Sequence, residues 1–231
     1  MTTPILFVPG LLCSAEMFEV QAAALWPLGP TTVASTLEGN TVEEVAGRVL
    51  ETAPPRFALA GISMGGYISL EIMRQAPERV ARLALLDTTA RPDTPEQTAQ
   101  RRQTFEQARS GDFLSTALAS LTNLMHPARR GDVSLRKINE RMARAVGLEG
   151  FARQLELIIS RPDSRPSLSA IAVPTLVLVG DADALTPVNR AQEIAENISE
   201  SRLVVVPECG HLSTIEQPHG VASALLDWMG W

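Results

Sequence analysis

The sequence predicts an α/β fold, a mainly parallel sheet with helices on both faces, interrupted by a helical insertion. Three observations carry that expectation. Short, almost wholly apolar runs alternate with longer amphipathic ones at both ends of the chain, the pattern of successive βα units. The apolar runs lack the polar alternate positions of half-exposed strands, as strands covered on both sides do. The alternation stops between about residues 88 and 172, where helical periodicity continues without a convincing strand. At 231 residues and 45% hydrophobic content, the chain can form one large domain with an inserted subdomain.

In chain order, residues 5–8 (ILFV) read as a buried strand. Residues 15–26 read as a helix capped by Ser14. A weaker strand follows at 31–35, then a helix at 41–52, where Thr41 and Glu44 have the spacing of a capping box. Residues 57–62 form a strand, 64–75 a helix and 80–86 a strand. Within the insertion, helices are expected near 94–109, 112–125, 133–146 and 149–160. Strand, helix, strand and helix then resume at 175–179, 187–197, 203–206 and 221–229. Ligands of such sheets bind beyond the carboxyl ends of the strands, so the loops after each strand are the place to search for chemistry.

Composition narrows the partners. A formal charge of −6 and an acidic balance argue against nucleic acid or an anionic membrane. No apolar run approaches membrane-spanning length. The start, MTTPILFVPGLLC, lacks a basic region, is broken by Pro9 and Gly10, and has Leu12 where a small residue should precede a lipidated cysteine. A cytoplasmic location is expected. Cys13 and Cys209 have neither metal-ligand nor CxxC spacing, and free buried thiols are the expectation. No metal or organic cofactor is implied, the partner is a small-molecule substrate, and oligomeric state is open.

Chemistry concentrates at three strand ends. Gly61-Ile-Ser63-Met-Gly65 fits Gly-x-Ser-x-Gly; that pattern arises by chance in a little under about one chain in ten of this length. Its context is what counts: a strand precedes it and a helix follows, as a sharp turn that lifts a serine hydroxyl above a sheet requires. The competing reading is an ordinary glycine-rich turn with a capping serine. Serine needs a base within hydrogen-bond reach. His211 follows the strand at 203–206, at the same sheet edge. His219 starts a polar helix and His126 ends an insertion helix before Pro127, so both read as solvent-facing. The base needs an acid to fix its tautomer. Asp181 and Asp183 follow the strand at 175–179, and Asp87 ends the strand at 80–86. The order Ser63, Asp183, His211 differs from the chymotrypsin and subtilisin orders. One oxyanion donor is the N–H of Met64, at a helix start; a second is expected from the loop after the first strand, residues 9–13.

These segments resemble the α/β-hydrolase superfamily over essentially the whole chain. Residues 7–13 resemble the segment that carries His-Gly in many members, 60–66 the nucleophile elbow, 179–187 the acid loop and 209–211 the base loop. The resemblance implies Asp183 as the acid and Leu11 as the second oxyanion N–H. It also implies a core of residues 1–87 and 173–231 with residues 88–172 as a helical cap. Two features depart from the pattern. Pro9 stands where histidine is usual, and the chain starts at the strand carrying that loop, so a trimmed, about six-stranded α/β-hydrolase sheet is expected.

The implied function is a serine hydrolase of a small carboxylic ester, thioester or lactone. Two alternatives stand beside it. One is carbon–carbon bond hydrolysis or a lyase reaction on the same triad; similar lyases carry arginine after the glycine pair, where this chain has Tyr67. The other is a non-catalytic small-molecule receptor. Arg101, Arg102, Arg129, Arg130, Arg141 and Arg144 of the insertion are candidates for contacts to an acidic substrate, or else a solvated helix surface.

Overall fold

The computed structural model describes residues 2–231. Six strands form one parallel sheet: β1 (Ile5–Val8), β2 (Thr31–Val33), β3 (Phe57–Ile62), β4 (Val80–Leu86), β5 (Thr175–Gly180) and β6 (Ser201–Val206), in the order β2-β1-β3-β4-β5-β6. Side chains alternate across it. Ile5, Phe7, Ala58, Ala60 and Ile62 enter one core, and Leu6, Val8, Phe57 and Leu59 enter the other. That period of two, with both faces apolar, is why the strands carry no polar alternation. The edge strands β2 and β6 are the exceptions, each with exposed positions.

Helices α1 (Glu19–Leu25) and α9 (Pro218–Met229) pack together on the first face. Phe18, just before α1, stacks on Phe7 with centroids 4.7 Å apart. The opposite face carries α2 (Val42–Thr52), α3 (Met64–Gln75) and α7 (Val188–Glu196). Between β4 and β5 lie α4 (Pro95–Ser110), α5 (Phe113–Leu124) and α6 (Val133–Ser160). Phe151 of α6 meets Phe105 of α4 and Phe113 of α5 at centroid distances of 6.1 and 6.0 Å.

The structure differs from the sequence expectations at several points. Residues 15–26 do not form one helix: Ala15–Phe18 is a 3-10 turn before α1, and Trp26–Leu28 is another after it. Pro27 lacks the N–H that would continue the ladder. Thr41 caps α2 by accepting the Glu44 N–H, but the Glu44 carboxylate reaches back to the N–H of Asn40, one residue earlier than a capping box requires. The two insertion helices expected at 133–146 and 149–160 are present, divided at Gly147 (φ 68°, ψ 173°) as the sequence spacing implied, and they follow one another directly as the two halves of α6. A short helix, α8 (Ser213–Glu216), precedes α9; four residues are too few for periodicity to reveal.

The sheet order reverses at β1, since β2 lies on one side of it and β3 on the other. That is the topological switch point at which open α/β sheets place a ligand crevice. Val8 pairs with Gly61, so the loop leaving β1 and the turn leaving β3 emerge side by side.

Candidate active site

Ser63 forms the turn between β3 and α3, with φ 54° and ψ −115°. A non-glycine residue in that region stores backbone strain, which persists only where the surroundings dictate it. Here two glycines do so. A Cβ on Gly61 would collide with the Gly65 carbonyl, and one on Gly65 would collide with the Val8 carbonyl. The Ser63 N–H is held by the Leu86 carbonyl at 2.9 Å, and its carbonyl accepts from Thr88 Oγ1 at 2.8 Å. The turn therefore closes only with small residues on either side, and it points Ser63 out of the sheet edge.

Three of the residues singled out in the sequence meet there. Ser63 Oγ lies 2.8 Å from His211 Nε2, and His211 Nδ1 lies 2.7 Å from Asp183 Oδ2. Asp183 Oδ1 also accepts the N–H groups of Leu185 and Thr186, each at 2.9 Å, and Oδ2 accepts the Thr186 hydroxyl at 2.7 Å. A carboxylate so occupied acts as acceptor toward Nδ1. That assigns the ring proton to Nδ1 and leaves Nε2 to accept from Ser63.

Burial opposes charge on Asp183, but the facing His211 and the hydrogen bonds from His211 and Thr186 outweigh it and hold the carboxyl below its usual range. Burial likewise opposes charge on His211. Asp183, through charge and hydrogen bond, followed by Asp87 and Glu216, nonetheless raises the imidazole above its ordinary value.

Asp87, the competing acid, is placed elsewhere. Its Oδ1 accepts the Gly180 N–H at 3.0 Å and its Oδ2 the Ser213 N–H at 3.3 Å, so it ties the end of β5 to the start of α8. Desolvation, then the charge of Asp183, push its carboxyl up to about 7. Asp181 accepts the N–H groups of Glu208 and Cys209 at 3.1 Å each, a turn-shaping role.

The loop after β1 brings Leu11 to the same place. Leu11, Ser63 and His211 all line one cavity of about 230 Å³. The Leu11 and Met64 N–H groups have no hydrogen-bond partner among the described residues, whereas the N–H groups of Leu12 and Cys13 are both taken. Pro9 stands where many members of the resembled superfamily carry histidine, and the loop it opens is held from the insertion: Leu12 adopts φ 61°, and its N–H donates to Gln154 Oε1 of α6 at 3.0 Å.

Two further positions were not found from the sequence. Gln154, buried, is one. Glu216 is the other: buried to 2% exposure, it accepts the N–H groups of Gly210 and Leu212, which flank His211, at 3.2 and 3.0 Å. It also accepts the N–H of His126 at 2.7 Å, and the His211 N–H donates to the Leu124 carbonyl at 2.9 Å. The loop carrying His211 is thereby fastened to the end of α5. His126, expected to face solvent, is half-buried, because its backbone is part of this fastening. His219 is exposed. Cys13 and Cys209 are free and buried, with burial pushing the Cys13 thiol up to about 12.

Three of the six insertion arginines singled out in the sequence are surface groups: Arg102 pairs with Glu156, Arg141 with Glu16, and Arg144 with Glu140. Arg129 and Arg130 donate to backbone carbonyls. Arg101 alone of the six lines the cavity. Among the described residues, no group of His, Cys, Asp and Glu side chains is arranged to hold a metal ion, and no helix is long and apolar enough to cross a membrane.

A model of the alpha/beta hydrolase fold family matches residues 41–218. A pimeloyl-[acyl-carrier protein] methyl ester esterase of Aromatoleum aromaticum is 26% identical over 200 residues, which span 82% of this chain and 80% of that one. A thermophilic esterase from Thermogutta terrifontis, solved with malate bound, shares 30% identity and superposes with a TM-score of 0.85 over 98% of this chain and 89% of that one. The enol-lactonase from Burkholderia xenovorans LB400, at 24% identity, shares the fold: its TM-score is 0.89 over all of this chain and 92% of that one.

Proposed function

The chain belongs to the α/β-hydrolase fold family, and from that premise we propose that it is a serine hydrolase of small carboxylic esters, thioesters or lactones working through an acyl-enzyme on Ser63. The observation that carries this reading is the unbroken relay from Ser63 Oγ through His211 to Asp183, at 2.8 and 2.7 Å. Two relatives named as esterases, at 26% and 30% identity, support it.

In the reaction, Ser63 Oγ attacks the ester carbonyl carbon as Nε2 of His211 takes its proton. The carbonyl oxygen becomes an oxyanion, for which the unpaired N–H groups of Leu11 and Met64 are the donors, Met64 at the positive end of the α3 dipole. Asp183 stabilises the imidazolium. His211 then returns the proton to the departing alkoxide or thiolate as the carbon–oxygen or carbon–sulfur bond breaks. Water, deprotonated by His211, attacks the acyl carbon; the bond from that carbon to Ser63 Oγ breaks as His211 returns the proton to Oγ, and the acid leaves with Ser63 regenerated. The residues that do this are all side chains or backbone of the chain itself.

The cavity, at about 230 Å³, lies below the ~300–1,000 Å³ of sites for drug-sized ligands, which supports a short acyl group. Steady-state hydrolysis of p-nitrophenyl esters of increasing acyl length, with Ser63→Ala as comparison, tests the proposal. Turnover by the native chain that falls to the background rate in Ser63→Ala is expected; equal rates in the two would overturn it.

A further inference from the structure

The cavity beside Ser63 has one permanently charged side chain in its wall, Arg101. Much of the remaining wall is apolar, including Leu121, Phe151, Leu155 and Ile158. Arg101 belongs to a polar stripe on α4, with Gln97, Gln100 and Thr104, at spacings of three and four that put all four on one helix face. Ala108, the one buried residue of α4, continues this face one turn beyond Thr104, so the stripe is on the inward-turned side of the helix.

Arg101 is also held in place. Its Nε donates to Asp93 Oδ2 at 2.7 Å and its Nη2 to Oδ1 at 3.4 Å, and the Asp93 side chain is 1% exposed. Arg161 donates to the same carboxylate at 2.7 Å. It lies over the ring of Tyr67, which itself lines the cavity, with 4.2 Å from guanidinium carbon to ring centroid. Two guanidinium groups therefore share one carboxylate, with side chains only 16% and 4% exposed. Arg161 is further satisfied by the carbonyls of Arg91 and Ile158, at 3.0 and 2.7 Å, so the surplus positive charge of the cluster is least satisfied at Arg101, at the wall of a largely apolar space, where an anion would complete it. Arg101 Nη1 has no hydrogen-bond partner among the described residues, and no aspartate or glutamate lines the cavity.

We propose that Arg101 is a specificity-determining residue that receives a carboxylate carried on the substrate's acyl portion, so that the substrate class is a half-ester of a dicarboxylic acid or a carboxylated lactone. This rests on the reading of Ser63 as nucleophile. The planar guanidinium matches a carboxylate in shape and hydrogen-bonding geometry. A single surplus charge matches one carboxylate, whereas a phosphate monoester carries about −1.5 to −2. Asp93 acts as the anchor that prevents the side chain from folding away and leaves the Nη1 edge for the ligand.

The test compares a monomethyl ester of a short dicarboxylic acid with its neutral dimethyl ester, in the native chain, Arg101→Gln and Arg101→Lys. The native chain should favour the half-ester in kcat/KM by roughly tenfold or more, the range of a hydrogen bond to a charged group. Arg101→Gln should erase that preference mainly through KM, and Arg101→Lys should retain part of it. A purely structural Arg101 would lower both esters together and leave their ratio unchanged, which would overturn the proposal, as would a native preference for the neutral ester. Calorimetric titration of the half-ester into Ser63→Ala and into Ser63→Ala combined with Arg101→Gln reads binding without turnover. Binding to the first and not the second supports the proposal even if the native chain cleaves neither ester, an outcome that would count against the nucleophile instead. Equal binding to both contradicts it. If Arg101→Gln fails to fold, the native preference and the Arg101→Lys ratio decide.

Discussion

Gln154, in the second half of α6 beyond Gly147, accepts the Leu12 N–H at 3.0 Å while its amide nitrogen donates to Thr36 Oγ1 at 3.0 Å. A buried amide from the insertion thus fixes the loop that presents the Leu11 N–H. Leu12 sits at φ 61°, a conformation that a leucine holds only under constraint. Gln154→Ala frees the loop and orphans a buried N–H. A loss of about ten- to a hundredfold in kcat is expected, the scale of small misplacements in an active site. Steady-state kinetics on a neutral ester check it, with KM changing less than kcat.

Glu216 does the same for the base loop, with three backbone N–H groups on one buried carboxylate. Glu216→Gln turns an amide NH₂ toward those donors and leaves at least one unsatisfied. A loss of about 1–3 kcal/mol per orphaned N–H is expected. Denaturant unfolding measures it, and kcat should fall in parallel because the unanchored groups flank His211.

Asp183 and Asp87 should separate cleanly. Asp183→Asn presents an amide to Nδ1 and favours the wrong tautomer, so kcat should drop by roughly 10⁴, the size of the equivalent substitution in a serine protease. Asp87→Asn touches neither ring nitrogen and should retain most activity. It removes an anion that favours the imidazolium, so the acid limb of kcat/KM should move toward lower pH. Paired pH profiles test both, and loss of activity only in Asp87→Asn would reassign the acid.

The native pH profile follows from the same interactions. A proposed base at His211 requires the neutral imidazole, and Asp183 heads the groups that raise it above its ordinary value despite burial. Activity should therefore be lost as pH falls through a value above ~6.5, the unperturbed imidazole value. A limb below that value would contradict the reading of the relay.

Ser63, Asp183 and His211 were legible in the sequence because each ends or follows a buried strand, and a sharp strand-to-helix turn needs glycines at fixed offsets. Choosing Asp183 over Asp87 and Asp181 took the family resemblance, since all three follow strands. Gln154 and Glu216 were not legible. Their partners are backbone N–H groups, and Gln154 meets its own across 142 residues of chain, which leaves no pattern of residue types. Arg101 was one of six candidate arginines singled out in the insertion, and only the packing of α4 over the cavity sets it apart. The break at Gly147 within α6 was legible as the gap between the helices expected at 133–146 and 149–160. The four-residue α8 escaped because periodicity does not register a helix of one turn.

The central claim is that Ser63 is an activated nucleophile. Incubation of the folded chain with a fluorophosphonate, followed by peptide mass mapping, measures that directly. One adduct on Ser63, abolished in His211→Ala, is the predicted result. A folded chain with no adduct on Ser63, or with the same adduct at the same rate after loss of His211, would contradict it.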